Sequence, residues 1–245
     1  MYIHINKIYK MKTILYTADS RGHVNHDWLD AHHSFSFGNY YDPSRVHFGM
    51  LRVLNDDIVQ GGMGFGMHPH DNMEIITIPL TGALEHKDST GGHGVIKQYD
   101  VQVMSAGTGL YHSEFNHSKT DFVNLLQVWV FPKEKNIKPR YDQKTFLPTK
   151  RENKLQTVVA PDNEEALYVH QDTWFSLGKF EVGKTTDYTI RKKGNGVYLF
   201  IIEGSVTVGE QTLNKRDALG IYDTEAISIT ASTNAEYLLI DVPMN

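Results

Sequence analysis

Residues 62–82 read GMGFGMHPHDNMEIITIPLTG, and residues 94–116 read GVIKQYDVQVMSAGTGLYHSEFN. Each stretch carries a polar pair with one intervening residue, His68-Pro69-His70 in the first and His112-Ser113-Glu114 in the second. Side chains at i and i+2 leave the same face of an extended strand, because successive Cβ atoms alternate across the pleat. Two such strands side by side would bring three imidazoles and one carboxylate to one point. That donor set suits a borderline divalent cation such as iron, manganese, nickel, copper or zinc. One His-x-His arises easily by chance in a polar loop. Two pairs in a glycine-punctuated, strand-like setting point to a metal site.

Working outward from these stretches, strand signals dominate. Short runs rich in Val, Ile, Thr and aromatics recur at 47–54, 73–79, 101–104, 123–131, 197–202, 205–208, 227–230 and 237–242, separated by Gly, Asn and Asp. Helical periodicity is thin. Regular short strands with turn residues between them predict an all-β chain of sandwiches or closed barrels. Residues 132–150 (PKEKNIKPRYDQKTFLPTK) are basic and polar with three prolines, and read as a linker. This gives an N-terminal unit at 11–131 and a C-terminal unit at 151–245, with IIEGSVTVGEQTL in the latter as a hairpin around Gly204 and Gly209. Residues 1–10 are mixed and polar, and a second Met at position 11 opens a more strand-like run, so 1–10 are expected to be a disordered tail or an upstream-start artefact.

Composition narrows the function. A net charge of −5 and no dense Lys/Arg stretch disfavour direct nucleic-acid binding, which needs a basic surface to neutralise phosphates. The chain has no cysteine, which removes disulfides, thiolate ligands and Cys nucleophiles. No run approaches the ~18 apolar residues of a membrane helix, and the opening lacks the apolar core of a secretory signal. A cytoplasmic protein is the default expectation.

The stretch at 62–82 resembles the first cupin motif: five residues separate Gly62 from His68, three separate His70 from Glu74, and one extra residue precedes Gly82. The stretch at 94–116 resembles the second, with Gly109, His112 and Asn116 in register but Ala106-Gly107 where a Pro-x-Gly is usual. GFGMHPHDNMEI, MSAGTGLYHSEFN and FSFGNYYDPSRVHFGMLRVLNDD together look like the pirin family, over about residues 11–245, and are most similar to bacterial pirin-like quercetin 2,3-dioxygenases.

The resemblance implies a bicupin, two β-barrel (double-stranded β-helix or jelly-roll) domains in one chain, with metal only in the first. It implies His68, His70, His112 and Glu114 as ligands to one divalent ion, Fe(II) first, with Mn, Ni, Cu or Zn as substitutes. It further implies a dioxygenase acting on a flavonol such as quercetin. The 3-hydroxyl would lose its proton, O₂ would react, and the heterocycle would open with loss of carbon monoxide, with Glu114 as candidate base. The expected partners are a small aromatic substrate and O₂, with no nucleic acid or membrane, and the chain is expected as a monomer. The alternative is a redox-sensitive, metal-bearing binding protein or transcriptional co-regulator that acts through a protein partner, as eukaryotic pirins are described. A cupin sugar isomerase lacks a phosphate-cradling Lys/Arg set beside the His-x-His strand.

Glu74 is the rival to Glu114, since unbroken alternation from His70 would keep it inward. It is otherwise expected to orient a histidine or to be a structural polar group. Gly107 and Gly109 are expected to allow a turn or a close backbone approach. Phe65, Met67, Met73, Met104 and Phe115 are expected to line or underlie the interior. His23, His26, His32, His33, His86, His93, His117 and His170 are expected in solvated or hydrogen-bonded roles, and 87–94 (KDSTGGHG) as a polar hairpin loop.

Overall fold

A computed structural model describes residues 11–245; the expectation for 1–10 lies outside the described residues. The described chain is built from β-strands and two single-turn 3₁₀ segments, Ala18–Ser20 and Pro148–Lys150. None of its helices is long and apolar enough to cross a membrane.

Four sheets form two sandwiches. In the N-terminal half a seven-stranded sheet runs in the order Arg140–Thr145, Asp100–Ser105, Glu74–Thr81, Val123–Val130, Leu51–Val59, Leu29–His33, Gly22–Asn25. A four-stranded sheet packs on it, in the order Gly64–His70, Leu110–Asn116, Ala83–Asp88, His93–Lys97. The C-terminal half repeats the plan. Its seven-stranded sheet is centred on Asn195–Glu203 and Ala235–Pro243, and its four-stranded sheet contains Thr185–Thr189 and Ala226–Ala231. Of the sandwiches or closed barrels expected, each half is the sandwich, an open pair of sheets and not a closed barrel. Their hydrogen-bonded ladders end at sheet edges, and side chains hold the faces together, as Leu84 of the small sheet packs with Val59 and Leu125 of the large one.

Alternation explains how the two halves join. Along Asn195–Glu203, Val197, Leu199 and Ile201 fill the C-terminal sandwich, whereas Tyr198, Phe200 and Ile202 point the other way into a second core. That second core also takes Leu54, Ile76, Val103 and Val128 from the N-terminal half, so the two large sheets pack back to back. Strands buried on both faces read as continuous apolar runs, as VYLFII does. Each fully buried Val, Leu, Ile or Phe contributes about 1.5–3 kcal/mol, so the shared layer binds the halves firmly.

Two segments pair in ways the boundaries read from the sequence do not convey. Lys12–Tyr16, assigned to the N-terminal unit, pairs along its whole length with Ala218–Tyr222 of the other half. The supposed linker contains a strand, Arg140–Thr145, paired with Asp100–Ser105. Pro132, Pro139 and Pro148 lie outside that strand, so they bracket it and remove no ladder hydrogen bond. The 205–208 run does form a hairpin, Val206–Val208 with Gln211–Leu213 about Gly209, while Gly204 marks the crossing between sheets.

Candidate metal centre

Gly64–His70 and Leu110–Asn116 are adjacent antiparallel strands, with His112 directly opposite His68 and Leu110 opposite His70. The register places the three imidazoles on one face. Ring centroids lie 4.9 Å apart for His68–His70, 4.4 Å for His68–His112 and 4.8 Å for His70–His112. One nitrogen from each ring falls within 4.8 Å of the other two, a separation that one cation could bridge.

The rings are prepared to donate lone pairs. His68 Nδ1–H donates to the Gly66 carbonyl at 2.7 Å, which leaves Nε2 bare. His112 is 1% exposed, and its Nε2 is buried without a partner in the protein. Burial, followed by the neighbouring imidazoles His68 and His70, pushes His112 down to about 2. Burial and then His68 push His70 down to about 4. Both rings are therefore neutral near pH 7, the form that ligates a metal. An orphaned buried nitrogen facing two more imidazoles fits a divalent ion.

Glu114 follows His112 by two residues on the same inward face and is 3% exposed. Its carboxylate accepts from Gln127 Nε2 at 2.8 Å and Thr77 Oγ1 at 3.4 Å. Burial pushes it up to about 7 against those two hydrogen bonds. It groups with His112 and His86, so the structure holds two clusters that share His112: the three imidazoles, and His86–His112–Glu114.

Glu74 is elsewhere. The ligand strand ends at His70, Asn72 adopts φ +44°, and a new strand starts at Glu74, so alternation is reset. Glu74 faces the junction between halves, where it accepts from Ser105 Oγ at 2.9 Å and the His170 backbone N–H at 3.2 Å. It does not orient a ligand histidine; of the roles expected for it, the structural one holds.

Alternation also corrects the apolar residues. With His68 and His70 inward, Met67 is turned out and is 57% exposed; with His112 and Glu114 inward, Phe115 is turned out at 39%. Met104 is fully buried against Ile75 and Leu110, with Met73 partly buried beside it, and Phe65 packs on Trp28. Gly107 and Gly109 have φ of +51° and +119°, and a Cβ at Gly107 would lie 2.1 Å from the Ile137 carbonyl oxygen. Both expected reasons for glycine, the turn and the close approach, apply there.

Among the remaining histidines, pairing of Gly22–Asn25 with Leu29–His33 sets His23 opposite His32, with Asp30 beside them. The linear spacing carries part of this grouping, since Asp30-Ala31-His32 has the i, i+2 gap, but not the cross-strand approach of His23. His23 Nε2 and Asp30 pair at 2.7 Å on the surface, a hydrogen-bonded role as expected. His86 takes the hydrogen-bonded of its two expected roles, fully buried and in contact with both Asp88 and His112. The sequence carries a signal for this, since His86-Lys87-Asp88 is another pair with the i, i+2 gap. It was absorbed into the polar hairpin at 87–94, which does form, with Lys87 opposite His93.

Outside the three imidazoles, a cleft of about 560 Å³ is bordered by His70, Asp71, Met73, Tyr111 and Trp129. The Trp129 ring meets His70 edge-on, with centroids 4.8 Å apart. The volume lies in the range of small-molecule sites.

Comparison with known proteins agrees with this architecture. The Pirin family model matches residues 15–130, and the quercetinase C-terminal cupin domain model matches residues 157–242. The quercetin 2,3-dioxygenase of Escherichia coli K12 is 42% identical over 227 residues, covering 92% of this chain and 96% of that protein. The chain belongs to the pirin family. A pirin-like protein of Caulobacter vibrioides is 40% identical over 91% of this chain and 96% of its own length. The crystal structure of the bacterial pirin YhhW from E. coli in complex with nickel(II) has a TM-score of 0.90 at 40% identity, covering 96% of this chain and 100% of that one.

Proposed function

We propose that this pirin is a metal-dependent dioxygenase that opens the heterocycle of a flavonol such as quercetin. The convergence of His68, His70 and His112 beside an open, aromatic-edged cleft carries the reading. The dioxygenase name of the E. coli relative and the nickel(II) bound by YhhW support it.

His68, His70 and His112 would hold one divalent ion, Fe(II) first, with nickel a substitute, and Glu114, which groups with His112 and His86 and not with His68 or His70, would be the fourth ligand. When bound, that ion supplies Lewis acidity and open positions for an anionic oxygen ligand and O₂. The other contributions come from the chain. Trp129 and Tyr111 border the cleft and suit a flat aromatic guest. Glu114 would be the carboxylate that takes a proton from a substrate hydroxyl. Gln127 and Thr77 hold its carboxylate while it does so. The 11–131 and 151–245 units are read as two cupin domains, with metal in the first alone; the metal-ligand groups among the described residues all lie within 23–114.

Oxygen uptake and flavonol bleaching by protein loaded with iron, nickel, manganese or copper test the activity. Turnover that disappears in His68→Ala is expected; no turnover with any of the four metals overturns the assignment. Metal analysis is expected to give one equivalent per chain, lost in Glu114→Gln, and two equivalents would contradict the domain assignment.

One observation favours a second reading, a metal-bearing protein that acts through a protein partner. Met67 and Phe115 leave apolar area exposed on the outer face of the Gly64–His70 and Leu110–Asn116 strands. Capture of a partner that changes with metal oxidation state, without flavonol turnover, would select that reading.

A further inference from the structure

We propose that Asp88 and His86 are positioning residues that fix His112 as its Nδ1–H tautomer, leaving its Nε2 lone pair turned toward His68 and His70. The inference rests on His112 being a metal ligand, and is built from the strand beside it. Ala83–Asp88 pairs with Leu110–Asn116 so that Asp88 lies opposite His112 and His86 opposite Glu114. His86 Nε2 lies 3.0 Å from Asp88 Oδ2, and His86 Nδ1 lies 3.4 Å from His112 Nδ1. All three groups are buried.

The hydrogen positions follow by elimination. A carboxylate only accepts, so His86 carries its proton on Nε2 and donates it to Asp88. His86 Nδ1 is then a bare acceptor, and the facing His112 Nδ1 must be the donor. A neutral imidazole has one proton, so His112 Nε2 is left bare. That nitrogen is the buried atom with no partner in the protein.

The far end of the chain is locked. Asp88 Oδ1 accepts the Thr90 backbone N–H at 2.8 Å, the Thr90 hydroxyl at 2.6 Å and the Gly92 N–H at 3.0 Å. Three donors on Oδ1 leave Oδ2 for His86. A Cβ on Gly92 would lie 2.2 Å from Oδ2, so glycine there keeps that oxygen clear. On the other side of His86, Tyr141 stacks with centroids 4.5 Å apart and planes 25° from parallel. The 87–94 turn, polar and far from any ligand in sequence terms, thereby sets the orientation of a ligand ring.

Asp88→Asn tests the polarity directly. The three donors hold the Asn carbonyl in the Oδ1 position, so the amide NH₂ turns toward His86 Nε2 and donates to it. His86 must then carry its proton on Nδ1, and His112 must move its own to Nε2. Long-range ¹H–¹⁵N spectra of metal-free, histidine-labelled protein report each tautomer without metal or turnover. Nδ1–H is expected for His112 in the natural chain and Nε2–H in Asp88→Asn. Ni(II) affinity, read by chelator competition, is expected to fall roughly 10–100-fold in Asp88→Asn. His86→Gln can donate its amide to Asp88 and accept from His112 through its carbonyl, and is expected to keep the Nδ1–H tautomer and most of the affinity. Nε2–H on His112 in the natural metal-free chain overturns the proposal, whether or not the variants fold. So does an unchanged tautomer in Asp88→Asn. Failure of the metal assignment looks different: the natural chain would show the expected tautomers yet bind Ni(II) no better than His68→Ala.

Discussion

Replacing Glu74 with Gln separates a structural carboxyl from a ligand, and its effect on stability against pH can be worked from the structure. Glu74 is 0% exposed, and burial pushes it up to about 7, against hydrogen bonds from the His170 N–H and Ser105. In the unfolded chain it titrates near its ordinary value of 4.5. Between those values the folded chain keeps a proton that the unfolded chain has released, so rising pH removes stability. The loss starts near pH 4.5, grows to pH 7 and is complete above it. Integrated from pH 5 to pH 8.5, it comes to about 2–3 kcal/mol at 1.36 kcal/mol per unit. The amide introduced by Glu74→Gln cannot titrate, and any fixed difference between amide and carboxyl is the same at every pH. Urea unfolding of metal-free protein should therefore show Glu74→Gln gaining about 2–3 kcal/mol on the natural chain across that window. The same variant should retain bound metal. Parallel stability curves would refute the buried, neutral-leaning carboxyl, and metal loss would return Glu74 to the ligand set.

Two further substitutions probe the frame around the site. Gly107→Ala places a Cβ 2.1 Å from the Ile137 carbonyl oxygen at φ +51°, and should lower the urea midpoint by an amount equivalent to at least about 2 kcal/mol; an unchanged midpoint would show that the turn can move. Asp56 lies 3.2 Å from Arg21 and 3.1 Å from Arg216, with all three side chains largely buried. Asp56→Ala leaves two buried guanidiniums facing each other and should cost about 3–5 kcal/mol in thermal or urea unfolding. A loss below about 1 kcal/mol, the range of exposed pairs, would mean that solvent reaches the cluster.

The two histidine-containing pairs were legible as strand-face pairs because they depend on a local rule. Period-two alternation needs no knowledge of the rest of the chain, and it placed His68, His70, His112 and Glu114 on inward faces. The same rule failed at Glu74, where the break at Asn72 shifts the phase by an amount the sequence does not announce. The strand run read at 47–54 stops before Asn55-Asp56-Asp57, which forms the middle of the Leu51–Val59 strand. This polar triplet can do so because the interior it faces is polar on one side and supplies Arg21 and Arg216 on the other. His86 and Asp88 were hidden for a similar reason, since a buried polar pair and an exposed polar hairpin have the same composition. Pairing of Lys12–Tyr16 with Ala218–Tyr222 joins residues some 200 positions apart, beyond the reach of any local pattern.

These misreadings share a cause, which also explains why one chain holds two similar sandwiches. The C-terminal interior is filled by Phe180, Val197, Leu199, Ile201, Tyr237 and their apolar neighbours. The N-terminal interior is not: its apolar groups fall into two small clusters. Between them lie Asn55, Asp57, Thr77, Gln102 and Gln127, all buried, together with His112 and Glu114. Buried polar groups contribute little net stability even when paired, and destabilise when unpaired. A sandwich carrying that interior is poorly placed to hold itself together. Its large sheet, however, turns its outer face onto the large sheet of the apolar half, in a layer that includes Leu54, Ile76, Val128, Phe175, Tyr198 and Ile240. The second sandwich thus acts as a rigid backing, and the first can keep a polar interior because much of its stability comes from outside it.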